Sequence, residues 1–488
     1  MKSLAFASID ELKKSLSNNE ISREELLQFY IDRFDKFNKQ LNVAIEIFDK
    51  DSILSRTNSL SLKAEGVLAG IPGILKDNIS QKDRGLTCAS KILEGFVSPY
   101  DATVSKRLMA EGALLIGRSN MDEFAMGASN EFSAYGKAYN PWNVDCVPGG
   151  SSGGSVASVA AGLVPWALGS ETGGSVRLPA AFCGIVGLKP TYGLISRYGL
   201  VAYASSLDQI GIATRSVKDN ALVLSVLAGK DKADSTSLPV HKQDYTKLLD
   251  GKLPEGLTIG VLENMLNAEG MDPEVKNLVA LAIKELEKLG AKIKFIKIPA
   301  IDYGAAVYFV LSRAEAASNL ARFDGVRYGY RHKDAKTLDE MYKWTRHDGF
   351  GDEVRNRIFI GNYVLSAGHA SDFYSNAKKA QRLMRAQIAD AFNDVDLFLA
   401  PTQAAPAFKV GTFADNHLQM DLMDYFTCFA NIAGVPGLAL PCGFTKNNLP
   451  VGFQLIGPHL SEELLFQVGH AYEQVTPWHT MHPEMFDK

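Results

Sequence analysis

Between Cys146 and Ser170 the chain carries no charged residue, and Pro148 to Gly162 within that stretch reads PGGSSGGSVASVAAG. So small and uncharged a run constrains the fold more than any other feature, because it belongs where backbones approach closely. Directly after it, Glu171 to Ala180 reads ETGGSVRLPA and repeats the Gly-Gly-Ser-Val quartet. A flexible linker fits poorly, since Val156, Val159 and Leu163 give the run an apolar helical continuation. The stretch is long enough to cross a bilayer, but Pro165 interrupts it and Gly and Ser transfer poorly into lipid. A tightly buried helix fits better.

Two nucleotide motifs fail on their chemistry. Gly149-x4-Gly154 imitates a P-loop, but Ser155 stands where lysine must reach phosphate, and Val156 where a hydroxyl must reach magnesium. The dinucleotide spacing G-x-G-x-x-G is absent. Gly149 to Gly153 formally satisfies G-x-S-x-G, the nucleophile elbow of α/β hydrolases. Pro148 is a poor end for a central strand. The first histidine is His241, so a histidine base would have to come from the C-terminal half.

Helix-then-strand units recur along the chain. TVSKRLMAEG leads into ALLIG, PEVKNLVALAIKELEKLG into AKIKFIKI, and KKAQRLMRAQIADAFNDV into DLFLAPT, while VGFQLIG precedes SEELLFQVGHAYEQV. This alternation predicts an α/β fold around a largely buried sheet. Ser8 with Glu11 and Ser22 with Glu25 fit the capping box. After Ser22, the spacing of Leu26, Leu27, Tyr30, Ile31, Phe34 and Phe37 predicts a helix. With no repeat or low-complexity linker, one compact domain over 1–488 is expected, with a helical N-terminal segment to about residue 60.

Composition excludes some function classes. Net charge is only −4 over 488 residues, with no basic stripe, so the chain's own surface does not announce nucleic-acid binding. Its five cysteines are scattered without CxxC spacing, which argues against a disulfide framework or a zinc site. The apolar stretch in MKSLAFASIDELKK is too short for a secretory signal, so a cytoplasmic location is expected.

Without a nearby histidine, activating a serine needs another base. Lys76, in GIPGILKDNIS, lies among Ile74, Leu75 and Ile79 in a strand-like segment. An amine held against apolar neighbours loses solvation of its charged form and becomes a base near neutral pH. A strand lysine that snorkels to solvent is the ordinary alternative.

The two Gly-Ser turns with this lysine resemble the amidase signature family over essentially the whole chain, most specifically in GGSSGGSVASVAAGLVPWALGSETGGSVRLPAAFCGIVGLKPT. That resemblance implies a mixed central β-sheet covered by helices on both faces, with a catalytic core at about 65–220. It also implies a Ser–Ser–Lys triad: Ser175 as nucleophile, Ser151 as bridging serine after a cis Gly150–Ser151 peptide, and Lys76 as base. The N–H groups of Thr172, Gly173, Gly174 and Ser175 are the implied oxyanion hole. Four further stretches, Ser119–Asn143, Ser196–Gly211, Ser318–Arg331 and Phe429–Gly443, resemble the branch that supplies ammonia to tRNA-dependent amidotransferases.

In that branch the implied amide donor is glutamine, or asparagine less efficiently. Its α-carboxylate is implied to meet Arg357, its α-ammonium Asp424, and Tyr308 makes a third contact; Arg355 is the nearest competitor of Arg357. A surface salt bridge for the charges and core packing for the tyrosine are the plainer readings. The implied partners are the B and C subunits of a heterotrimer. The former uses ATP and magnesium and holds the misacylated tRNA, either Glu-tRNA(Gln) or Asp-tRNA(Asn). No cofactor, metal, DNA or membrane is expected for this chain. Three positions depart from the family: Glu171 for the usual Asp, Leu178 for a frequent Gln, and Leu194 for a frequent Arg. The alternative function is a stand-alone amidase acting on a small amide and needing no partners. A third reading is a catalytically silent scaffold.

Overall fold

The protein is described by a computed structural model over residues 4–59, 66–414 and 416–487. The expected boundary near 60–65 falls outside the described residues. Eleven strands are present among them. In the first half they are β1 (Ala44–Ile47), β2 (Pro72–Lys76), β3 (Leu114–Ser119), β4 (Trp166–Glu171), β5 (Val186–Lys189) and β6 (Gln209–Thr214). The second half adds β7 (Thr258–Leu262), β8 (Lys292–Ile296), β9 (Leu397–Pro401), β10 (Gly437–Phe444) and β11 (Pro450–Ile456). All join one sheet in the order β1-β3-β2-β4-β6-β5-β10-β11-β9-β7-β8. Parallel pairing of β2 with β3 and β4, and of β7 with β8 and β9, is joined by antiparallel pairs, so the sheet is mixed.

The predicted helix–strand units take these places. Helix Thr103–Ala110 precedes β3, Pro273–Lys288 precedes β8, Tyr374–Ala391 precedes β9, and Glu462–Val475 follows β11. Both capping boxes form, with Ser8 and Ser22 accepting the N–H of Glu11 and Glu25 and each glutamate bonding back. The edge strand β8 is exposed and carries Lys292 and Lys294, charges that discourage pairing with another chain.

The uncharged run lies in the core. It forms the helix Gly153–Ala160, every residue of it buried, and then β4, also wholly buried. Its small residues are required: a Cβ on Gly154 would lie 2.4 Å from the carbonyl oxygens of both Asn120 and Val43. Among the described residues no helix is long and apolar enough to cross a membrane. Buried Arg33 ties the N-terminal helix Arg23–Leu41 to this region, donating to the carbonyls of Ala161, Gly162 and Phe486 at 2.8–2.9 Å.

The register of β2 and β4 sets Gly73 opposite Trp166, and a Cβ there would overlap the indole ring at 2.1 Å. Gly73→Ala is therefore expected to displace β2, and with it Lys76 at the strand's end. We expect a loss of about 1–3 kcal/mol in denaturant unfolding together with reduced activity. Unchanged stability would mean that the indole has room to move.

Candidate active site

Lys76 ends β2 with its amine wholly inside the protein. The lysine therefore does not snorkel. Its Nζ lies 2.7 Å from Ser151 Oγ, 2.8 Å from Ser152 Oγ and 3.1 Å from the Ser170 carbonyl. Burial lowers its pKa to about 7, against the pull of Asp122, Asp208 and Glu171, so the neutral amine is well populated near pH 7.

The hydrogen-bond pattern orients the amine's lone pair. Ser152 Oγ donates its one proton to the Ser170 carbonyl at 3.0 Å and accepts the Ser170 N–H at 3.2 Å. Toward Lys76 it can then act only as an acceptor. A neutral amine has two N–H donors and one lone pair; the donors go to Ser152 Oγ and the Ser170 carbonyl. In the neutral form this leaves the lone pair for the Ser151 hydroxyl, 2.7 Å away; in the ammonium form Nζ donates to it. Sequence reasoning named Ser151 and missed Ser152, whose role depends on this cross-bonding to β4.

Ser151 follows a cis peptide bond from Gly150. Buried Asp122 wraps this turn: its N–H donates to the Ser151 carbonyl at 3.2 Å, and its carboxylate accepts the N–H groups of Asn130 and Phe132. Burial raises the Asp122 pKa to about 6. A Cβ on Gly150 would fall 2.1 Å from Asp122 Oδ2. Among the described residues no strand ends at the Gly149–Gly153 motif, so it is not a nucleophile elbow.

The second turn runs from the end of β4 to the helix Arg177–Cys183. Ser175 is 2% exposed, and its carbonyl accepts the Ser152 N–H at 3.1 Å. The structure thus brings Lys76 and Ser151 into direct contact and joins Ser175 to them through the backbone. The Ser175 hydroxyl makes no hydrogen bond among the described residues. Nor do the N–H groups of Thr172, Gly173, Gly174 and Ser175. Four consecutive unpaired donors beside a serine can receive an anionic oxygen.

A buried clamp holds this turn. One Glu171 oxygen accepts the N–H groups of Val176 (3.1 Å) and Arg177 (3.0 Å), and the other accepts Arg177 Nε at 2.8 Å. Arg177 also donates to the Thr427 carbonyl and to Asn431 Oδ1. Burial pushes the Glu171 pKa up, but the charge and hydrogen bonds of Arg177, aided by Lys189, hold it below its ordinary value. The glutamate at this position is thus an ionised structural anchor. Leu178 and Leu194 are buried and apolar. Leu178 also lines a cavity of about 830 Å³ with Phe182, Gln403 and Phe426.

Two of the three expected donor contacts, Tyr308 and Asp424, meet the same turn, and the charge of Arg357 acts on both. A Cβ on Gly173 would lie 2.6 Å from the Tyr308 ring and 2.9 Å from Asp424 Oδ2; one on Gly174 would lie 2.8 Å from Asp424 Oδ1. Among the described residues buried Asp424 Oδ1 has no hydrogen-bond partner, and burial raises that carboxyl to about 7 despite Arg357. Arg357 Nε pairs with Glu353 at 2.6 Å, Nη1 donates to Tyr203 Oη at 2.8 Å, and Nη2 reaches Asp421 at 3.5 Å. The Arg357–Glu353 pair has the i, i+4 spacing of a surface salt bridge, yet both side chains are 5% exposed. Its competitor Arg355 instead turns to Asp352 and the His347 carbonyl at the surface. The partners Tyr203, Glu353 and Asp421 were not singled out from sequence. Among the described residues no cluster of His, Cys, Asp or Glu could hold a metal ion.

Removing Glu171 leaves the Arg177 guanidinium buried beside unfilled backbone donors. Glu171→Ala should cost about 3–5 kcal/mol in unfolding experiments, with Glu171→Gln retaining part of that loss. A change under about 1 kcal/mol would show that the clamp does not hold the turn.

Comparison with known proteins places this geometry. The family described as Amidase matches residues 25–466. The A subunit of glutamyl-tRNA(Gln) amidotransferase from Cyanothece sp. is 48% identical over 483 residues, spanning 98% of this chain and 100% of that protein. The crystal structure of its counterpart from Thermotoga maritima superposes with a TM-score of 0.82 at 39% identity, over 97% of this chain and 96% of that one. 6-Aminohexanoate cyclic dimer hydrolase in complex with substrate gives a TM-score of 0.85 at 26% identity, covering 99% of both chains.

Proposed function

Since the chain belongs to the amidase family, we propose that it is the glutaminase of a tRNA-dependent amidotransferase, its A subunit, with Ser175 as nucleophile. The observation that carries this reading is the buried amine of Lys76, 2.7 Å from Ser151 Oγ, beside four backbone N–H groups without partners among the described residues. Near full-length likeness to glutamyl-tRNA(Gln) amidotransferases supports glutamine as the amide donor.

Glutamine binds as a zwitterion between two poles. Its α-carboxylate lies on Arg357, whose planar fork gives a fixed geometry. Its α-ammonium meets Asp424, with the Tyr308 ring alongside. The arriving cation draws Asp424 into its ionised form, which suits a carboxyl that rests near neutrality. The side-chain amide carbonyl then enters the turn with its oxygen toward the N–H groups of Thr172, Gly173, Gly174 and Ser175.

As Ser175 Oγ attacks, its proton passes to Ser151 and the proton of Ser151 to neutral Lys76 Nζ. The carbon–oxygen bond forms and the carbonyl electrons move onto the oxygen held by the N–H groups. Collapse breaks the carbon–nitrogen bond, and the proton returns through Ser151 to the leaving nitrogen. Ammonia departs and leaves a glutamyl ester on Ser175. Water, deprotonated along the same path, hydrolyses the ester to glutamate. The ammonia serves the B subunit, where the misacylated tRNA is activated with ATP and magnesium, while the C subunit joins the two.

The test is ammonia release from glutamine by the chain with its partner subunits. Ser175→Ala should lower kcat by about 10⁴-fold or more; full activity in that variant would remove Ser175 from the chemistry. Cleavage of other amides by the chain alone, with no glutamine turnover in the complex, would establish a stand-alone amidase.

The pH profile supplies a second test. Lys76 must be neutral and Asp424 ionised, and both groups sit at about 7 in the free protein. Protonation of either one as pH falls abolishes productive binding or attack. For glutamine, log kcat/KM should therefore fall below about pH 7 with a limiting slope approaching two. Butyramide, which lacks the α-ammonium, should show a slope of one. Identical slopes for the two amides would remove Asp424 from donor recognition.

A further inference from the structure

The segment Ser196–Gly211 holds two buried side chains that the mechanism above leaves unused, Tyr203 (1% exposed) and Asp208 (4%). They form a continuous path between the donor's carboxylate site and the oxyanion turn. Arg357 Nη1 donates to Tyr203 Oη at 2.8 Å. The Tyr203 N–H donates to Asp208 Oδ2 at 2.8 Å, and the Thr172 hydroxyl donates to Asp208 Oδ1 at 2.7 Å. Thr172 is the first residue of the turn whose N–H groups are free.

The path is anchored on its outer side. The Tyr203 carbonyl accepts Asn319 Nδ2 at 3.1 Å, and the Ser206 N–H donates to Glu315 at 2.8 Å. Both partners lie on the helix Gly304–Asn319, which also carries Tyr308. Tyr203 is thus held at its backbone by Asp208 and Asn319, while its hydroxyl accepts from the guanidinium and keeps its own proton. Among the described residues that proton has no acceptor, so it is available to a carboxylate lying on Arg357. Burial raises the Asp208 pKa to about 6, against the hydrogen bonds from Thr172, Ala204 and Tyr203 and the charge of Arg197.

We propose that Tyr203 is a specificity-determining residue that donates its hydroxyl proton to the donor's α-carboxylate on Arg357 and, through Asp208, ties occupancy of that site to the position of Thr172. The inference rests on the reading of glutamine as donor. It predicts discrimination in favour of amides bearing an α-carboxylate, because only these give Arg357 and the Tyr203 hydroxyl a shared acceptor at the outer end of the path. Asp208 acts as a positioning residue through Thr172.

The experiment uses the assembled complex and compares glutamine with butyramide. Tyr203→Phe keeps the ring and removes only the hydroxyl. Loss of one hydrogen bond to a charged group should reduce kcat/KM for glutamine by about 10- to 100-fold, mainly through KM, with butyramide unchanged. On an Arg357→Ala background the same substitution should add less than about twofold, because the two side chains act on one carboxylate. Equal losses for both amides, or full additivity with Arg357→Ala, would overturn the inference and leave Tyr203 a packing residue. Unchanged glutamine kinetics would overturn it as well. A wild-type complex that does not turn over glutamine would instead overturn the proposed function, and the inference with it.

Discussion

Everything in the site depends on one buried amine staying uncharged. Lys76 is enclosed at the end of β2, and its amine takes its contacts from two serines and a carbonyl. Asp122, Asp208 and Glu171 all pull toward the ammonium form, but burial outweighs them and holds the amine at about 7. A fully ionised carboxylate in contact with Nζ would restore the ammonium form. Serines provide hydrogen bonds without charge, which is why a Gly-Ser turn suits this position.

That arrangement requires backbones in places where side chains cannot fit. The Gly150 position abuts Asp122, Gly154 abuts two carbonyls, and Gly173 and Gly174 abut Tyr308, Asp424 and Thr427. The same close approach that packs the helix Gly153–Ala160 into the core exposes the N–H groups of the second turn. Glu171 and Arg177 then fix that turn with a buried ion pair. Such pairs contribute little net stability but are costly to break, so they specify geometry more than they stabilise it.

Much of this was legible along the chain. The helix–strand alternation, both capping boxes and the burial of the uncharged run follow from local patterns that survive folding, because period and capping chemistry act over a few residues. Lys76 was legible from its apolar neighbours, and the two Gly-Ser turns from composition. Ser152 was not, because its part in orienting the amine comes from hydrogen bonds to Ser170, eighteen positions on. Tyr203, Glu353 and Asp421 were equally hidden. Arg357 meets Tyr203 across 154 positions, and no local spacing encodes such a contact.

By itself, then, the sequence determined which residue types could do acyl chemistry: an amine among apolar neighbours, hydroxyls on glycine-rich turns, and no histidine near them. It also determined the α/β class, since amphipathic period and strand burial are local properties of the chain. Tertiary structure alone decided which serine receives the lone pair, which arginine faces inward, and that Asp424 keeps an oxygen without a partner. The reason is physical. Protonation state and hydrogen-bond direction depend on the dielectric and donors that surround a group, and β2, β4 and the helices after residue 300 supply these only once they are brought together.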